Sequence, residues 1–160
     1  MGHTMNKIAD PSNVCYFLCP KHRQVFIDTP EYAEVIWTRL INEAQNQIGL
    51  YEWNKAVIIY GNAFEICDIL LKKSNDNNAI KRYLDTAIEF CYALRKCSYT
   101  SDVSILISFV SETLNHHLNP AECKLILRPL NNIASSALPK PKHWINILKH
   151  MSESYSKTLH

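Results

Sequence analysis

Apolar side chains recur at spacings of three and four residues along most of this chain, and this repeat limits the fold more than any other feature. A helix of 3.6 residues per turn places such residues on one side, whereas a half-buried strand needs strict alternation. The repeat is clearest between residues 50 and 73, where it includes Trp53, Ala56, Val57, Tyr60, Phe64, Cys67 and Leu71. The chain is therefore expected to be all-α.

Capping residues and prolines divide this repeat into about six helices. Thr29 before Pro30, and Asn119 before Pro120, predict two helix starts, because such residues cap and open helices. Pro129 is expected to kink or split the fifth helix. The expected helices cover about residues 29–49, 50–73, 79–97, 101–118, 119 to the connector at 138–142, and 142–155. We expect them to form a single-domain helical bundle over residues 29–160.

Residues 1–28 lack the helical repeat and are expected to form an irregular N-terminal arm. Residues 1–4 have the character of a cloning remnant ahead of a natural start at Met5. The arm contains apolar residues, among them Phe17 and Phe26, so we expect it to lie against the helices. A short strand over residues 23–27 is also expected.

Glycine is scarce, which argues against several common functions. Only Gly2, Gly49 and Gly61 occur, whereas phosphate-binding loops and dinucleotide-binding folds need several glycines close together so that the backbone can approach the ligand. A nucleophile elbow with serine between two glycines is also missing. We therefore expect no catalytic residue and no cofactor, and interpret the chain as non-enzymatic. The acidic pair Glu65 and Asp68 is interpreted as part of a solvated helix face.

The six cysteines are interpreted as reduced thiols. No secretory signal opens the chain, and a chain of 160 residues can form a core without cross-links. No run of 18 apolar residues occurs, so no membrane span is expected. These features favour a cytoplasmic, bacterial protein.

Small and aromatic residues alternate on two successive predicted helices. The residues concerned are Ala56, Tyr60, Gly61, Ala63 and Phe64 on one helix and Tyr83, Ala87, Phe90 and Ala93 on the next. Over about residues 50–97 this pattern resembles the helical hairpins of tetratricopeptide repeat proteins. The Trp-Leu-Gly signature and a second copy at the 34-residue period are missing. The resemblance implies hairpin stacking and a scaffold that binds another protein in a groove.

Cys15, Cys19 and His22 lie within eight residues of one another and could supply three zinc ligands. A tetrahedral structural site needs a fourth ligand, and the sequence does not identify one. The alternative is that Cys15 packs inward while His22 faces water. Zinc is therefore the only cofactor that the sequence leaves open.

The C-terminal part of the chain is basic. Residues 128–160 contain five Lys and Arg against one acidic residue. Lys140, Lys142 and Lys149, together with Trp144, could form a strip that contacts nucleic acid. The alternative is a solvated basic helix.

Aromatic residues are more numerous than the predicted core requires, and aromatics anchor protein interfaces. Trp37, Trp53, Tyr60 and Trp144 are the candidate partner-binding residues. The leading hypothesis is an adaptor or regulatory protein that binds another protein, or itself, through an apolar and aromatic groove between helices. A nucleic-acid-associated regulator and a zinc-stabilised or redox-sensing module are the alternatives.

Overall fold

The computed structural model describes residues 18–158, with side chains described as far as Met151. This part of the chain is all-helical and contains no strand, which confirms the expected fold class. It contains eight helices rather than about six: α1 Pro20–Asp28, α2 Pro30–Gly49, α3 Trp53–Lys73, α4 Asn77–Lys96, α5 Thr100–Asn115, α6 Pro120–Ile126, α7 Arg128–Ser135 and α8 Pro141–Thr158.

Helix α1 lies where an irregular arm and a short strand were expected, and that expectation was wrong for Pro20–Asp28. Pro20 occupies the first turn, and the backbone N–H of His22 donates to Sγ of Cys19 at the helix start. Thr29, expected to cap α2, instead donates its hydroxyl to the Val25 carbonyl oxygen at 2.6 Å and closes α1. Only Phe26 of this helix is buried, so the apolar repeat was too weak to predict it.

Helices α2, α3 and α4 pack side by side. Tyr60 contacts Glu89 and Cys67 contacts Arg82, so α3 and α4 run antiparallel, as expected for a hairpin. Trp37 contacts Thr86, and Gln45 contacts Glu89, further along both helices. Helix α2 is therefore parallel to α4, and α3 packs against both.

The core is centred on α3, whose side chains are buried almost continuously from Tyr60 to Leu71. Helix α3 therefore has neighbours on more than one side. A large cluster joins α3 and α4 to the C-terminal helices. A smaller one lies toward α1 and consists of Phe26, Ala33, Ile66, Ile69 and Leu70. Burial of each large side chain stabilises the fold by about 1.5–3 kcal/mol.

The C-terminal helices close the other side of the core. Asn119 and Glu122 form a capping box at the start of α6, and the break between α6 and α7 confirms the expected split near Pro129. The hydroxyl of Tyr92 donates to the Pro139 carbonyl oxygen at 2.8 Å and holds the connector before α8. Among the described residues, none of the helices combines the length and the apolar character that a membrane crossing requires.

Candidate functional site

An open apolar groove of about 330 Å³ lies between α1, α2 and α3, and we call it the N-terminal groove. Its volume is in the range of sites that receive a small molecule or a few side chains of a partner. It is lined by Leu18, His22, Phe26, Tyr32, Ile36, Leu40, Asn62 and Ile66. Most of these side chains are apolar, so the groove is suited to an apolar occupant.

One wall of the groove is the outer side of α2. Tyr32, Ile36 and Leu40 follow one another at four-residue spacing, and Val35 lies beside them. Tyr32 and Val35 are each 49% exposed. Both residues belong to the three- and four-residue apolar repeat of this helix, but its buried residues are Ala33, Ile41, Ala44 and Ile48. The structure therefore leaves an apolar row of α2 at the surface.

A buried carboxylate binds the backbone of Leu18, one of the residues that line the groove. The backbone N–H of Leu18 donates to Oε2 of Glu65 at 3.1 Å. Glu65 and Asp68 are each only 2% exposed, and Asp68 accepts from Nζ of Lys72 at 2.9 Å. The interpretation of this pair as a solvated face was wrong, because α3 lies in the centre of the fold and packs against α1, α2 and α4.

A cysteine and a histidine lie at the mouth of the groove. Sγ of Cys19 is 3.2 Å from Nδ1 of His22, and both residues are exposed. Cys15, the third predicted zinc ligand, lies outside the described residues. Among the residues the structure does describe, no third histidine, cysteine or carboxylate joins this pair to complete a metal-binding group.

The four aromatic residues predicted to bind a partner do not share one surface. Tyr60 and Trp144 are buried in the core, so they are not available to a partner in this fold. Trp37 is partly buried, and its indole N–H donates to Oγ1 of Thr86 at 3.0 Å. Trp53 is partly buried at the start of α3, where it stacks on Tyr51 with ring centroids 5.3 Å apart.

The structure places the three predicted basic residues at the surface. Lys140, Lys142 and Lys149 are all exposed. Lys142 and Lys149 are seven residues apart on α8 and share one face of that helix. His143 and His150 repeat the same spacing. The exposed side of α8 is therefore basic, while Trp144 on its inner side is in the core.

A buried polar cluster connects the three central helices. Oε1 of Glu89 accepts from the Tyr60 hydroxyl at 2.8 Å and from Nε2 of Gln45 at 3.0 Å. Burial raises the pKa of Glu89 to about 7, and the two hydrogen bonds oppose that rise. Burial and the nearby Glu89 carboxylate also raise the pKa of Tyr60 well above its ordinary value. Because these groups bond to one another inside the core, we assign them to stability.

Phe26 and Tyr32, which line the groove, and Val35, which lies beside its wall, were not among the binding candidates identified in the sequence. Phe26 and Tyr32 stack with ring centroids 5.9 Å apart and connect α1 to α2. The signal was present as an apolar row along α2. It could not be separated from the core row, because α2 is apolar over a wide arc and only its neighbours decide which part is covered.

Comparisons of the chain with protein-family models, with curated proteins and with solved structures find no match.

Proposed function

We propose that this chain is a non-enzymatic protein-interaction module, an adaptor or regulatory protein, that binds an apolar segment of another protein in the N-terminal groove. The observation that carries the proposal is the half-exposed apolar row of α2, Tyr32 and Val35, along a groove of about 330 Å³. Contiguous exposed apolar surface is unfavourable for a free protein and is typical of binding surfaces.

The groove fits an amphipathic helix as its occupant. Tyr32, Ile36 and Leu40 form a straight wall about 12 Å long, since eight helical residues rise by 1.5 Å each. A partner helix presents apolar side chains at the same three- and four-residue spacing, which is the usual basis of helix-in-groove recognition. The partner contacts are then apolar along the wall, with His22 at the mouth as a polar contact.

One further feature supports a binding role. The α3–α4 hairpin carries the small and aromatic residues that resemble tetratricopeptide repeats, and such hairpins form scaffolds that bind proteins. Of these residues, Phe64 of α3 lies against Tyr83 and Phe90 of α4, with ring centroids 5.0 Å and 6.0 Å apart. We also propose tetratricopeptide-like hairpin stacking and a cytoplasmic location, the latter from the cysteine usage.

The test is a substitution that places charge in the groove wall without disturbing the core. Tyr32→Glu/Val35→Glu changes two half-exposed side chains, and Leu125→Glu on α6 is the matched control because Leu125 is 64% exposed. We expect a partner purified with the native chain from its own host to be lost with the groove variant and kept with Leu125→Glu. Sedimentation of the pure chain identifies a second copy as the partner if the groove variant alone abolishes self-association. Equal recovery of partners by all three proteins contradicts the proposal.

The exposed basic face of α8 supports a second candidate, contact with nucleic acid. Lys142 and Lys149 on one face, with Lys140 just before the helix, could neutralise successive phosphates. Lys142→Gln/Lys149→Gln is expected to abolish a salt-dependent mobility shift of duplex DNA or RNA. Failure of the native chain to shift either nucleic acid at low salt rejects this candidate.

A further inference from the structure

A pair of stacked aromatic rings lies where α2 turns into α3, and neither residue lines the N-terminal groove. Tyr51 stacks on Trp53 with ring centroids 5.3 Å apart and planes inclined by 28°. Tyr51 is 62% exposed, and the preceding residue, Leu50, is 68% exposed. We call Tyr51 and Trp53 the aromatic platform. The ring of Tyr51 is its outer surface and is open to a flat ligand.

The backbone of Tyr51 is unfavourable for a residue with a large side chain. Its φ of 62° lies in the left-handed region, which glycine adopts without a steric cost. Residues in this region occur preferentially at binding and catalytic sites. A ring that requires a strained backbone and still remains exposed is therefore typical of a binding surface.

A lysine is held beside the aromatic platform. Nζ of Lys96, the last residue of α4, lies 5.5 Å from the centroid of the Trp53 ring and 5.7 Å from that of Tyr92. These cation–π contacts fix the position of the ammonium group. Because Lys96 is partly exposed, its charge is available to an anion bound next to the platform.

The connector before α8 brings more positive charge to the same end of the fold. The ring of Tyr92 lies under Lys96, and its hydroxyl donates to the Pro139 carbonyl oxygen at 2.8 Å. In residues 50–55 and 138–142 the exposed charged side chains are those of Glu52, Lys55, Lys140 and Lys142. Positive charge is therefore in excess around the platform, which favours a polyanion as the ligand.

We propose that this surface binds a single-stranded polynucleotide, with one base stacked on the exposed ring of Tyr51 and phosphates beside Lys96, Lys140 and Lys142. Aromatic rings next to lysines are a usual means of binding single strands, because every base has a flat face. A duplex keeps its bases stacked on one another and offers the platform only phosphates. The proposal deepens the second candidate function, nucleic-acid contact, and rests on it for the phosphate contacts. It is independent of the N-terminal groove.

The test is fluorescence anisotropy of labelled oligothymidylate and oligouridylate of about 12 nucleotides, each titrated with the full chain. Tyr51→Ala is expected to weaken binding about fivefold or more and to leave the salt dependence of the affinity unchanged, because stacking on a ring releases no counterions. Tyr51→Phe keeps the ring and should bind like the native chain. Lys96→Gln should instead reduce the slope of log affinity against log salt by about 0.7 in magnitude.

The matched control is Tyr32→Ala, which removes a half-exposed tyrosine at the other end of α2 and should leave binding unchanged. Circular dichroism shows whether each variant remains folded. A duplex of the same length should bind the native chain about fivefold more weakly than the single strand, or weaker still.

Equal affinity of the native chain and Tyr51→Ala for both oligomers overturns the proposal, as does equal affinity of the native chain for single strand and duplex. Displacement of the oligomers by polyglutamate at equal charge also overturns it, because an acidic peptide has the charge but no bases. Loss of binding in Lys142→Gln/Lys149→Gln but not in Tyr51→Ala leaves the second candidate function standing and rejects the platform alone. Failure of the native chain to bind any nucleic acid at low salt rejects both.

Discussion

The Tyr60 hydroxyl donates a 2.8 Å hydrogen bond to Oε1 of Glu89 and thereby joins α3 to α4 in the middle of the core. Glu89 is 7% exposed and also accepts from Gln45 of α2. A single carboxyl group thus connects three helices. Its protonation state is a source of pH-dependent stability.

We expect the free energy of unfolding to fall between about pH 4.5 and pH 7. Burial raises the pKa of Glu89 from 4.5 to about 7, so the native state retains a proton that the unfolded state releases. The stabilising contribution of this retained proton is complete below the pKa of Glu89 in the unfolded chain. It is lost as the pH rises through the pKa of Glu89 in the folded chain. A shift of this size corresponds to about 3 kcal/mol.

The measurement is urea unfolding of the native chain and of Glu89→Gln from pH 4.5 to 8. Glutamine stays neutral and can still accept the Tyr60 hydrogen bond, so the variant should lose most of this slope and be more stable than the native chain at pH 8. An identical pH profile for the two proteins would show that Glu89 does not titrate in this range.

Trp144 is expected to be a major stabilising residue of α8. It is 2% exposed and stacks on Tyr92 with ring centroids 4.5 Å apart and planes inclined by 7°. Trp144→Ala should cost about 3–5 kcal/mol, because it removes a large buried side chain and leaves a cavity. Trp53→Ala, at a partly buried position, should cost less when both are measured by chemical unfolding. A greater loss from Trp53→Ala would contradict the assignment of Trp144 to the core.

Ser98→Gly is expected to stabilise the fold by about 0.5–1 kcal/mol. Ser98 has a left-handed backbone (φ 62°) just after α4. Tyr99 N–H donates to the Leu94 carbonyl oxygen and Ser98 N–H to that of Arg95, which is the hydrogen-bond pattern of a helix end that favours glycine. Thermal unfolding measures the change.

The control for this prediction is Ser104→Gly, an exposed position inside α5. Glycine there should destabilise the fold by about 0.5–1 kcal/mol, because it adds backbone freedom to the unfolded chain without relieving strain. If both substitutions lower the melting temperature, the left-handed backbone at Ser98 carries no strain that glycine can relieve.

Tyr51 adopts the same left-handed conformation after α2, with φ 62°. Glu52 N–H donates to the Gln47 carbonyl oxygen and Tyr51 N–H to that of Ile48, as at the end of α4. Gly49 is the last residue of α2, which agrees with the predicted end of this helix at residue 49. A glycine near a helix end therefore predicted the boundary of α2 but not the residue that makes the turn.

The candidate site was only partly visible in the sequence. Cys19 and His22 were identified because they are close together in the chain, and the structure brings their side chains into contact. The N-terminal groove was not identified, because it needs α1 to lie across α2 and α3, and α1 has a single buried residue to indicate its packing. Trp144 was assigned to a surface because its stacking partner, Tyr92, is 52 residues away in sequence.

The sequence by itself determined that the chain is helical and where most helices begin and end, since caps, prolines and the three- and four-residue repeat act over a few neighbouring residues. Only the tertiary structure decided which arc of each apolar helix is covered. Glu65 is buried and Val35 is half exposed, because burial depends on which distant helix packs against each face. Local periodicity does not specify which face a distant helix will cover.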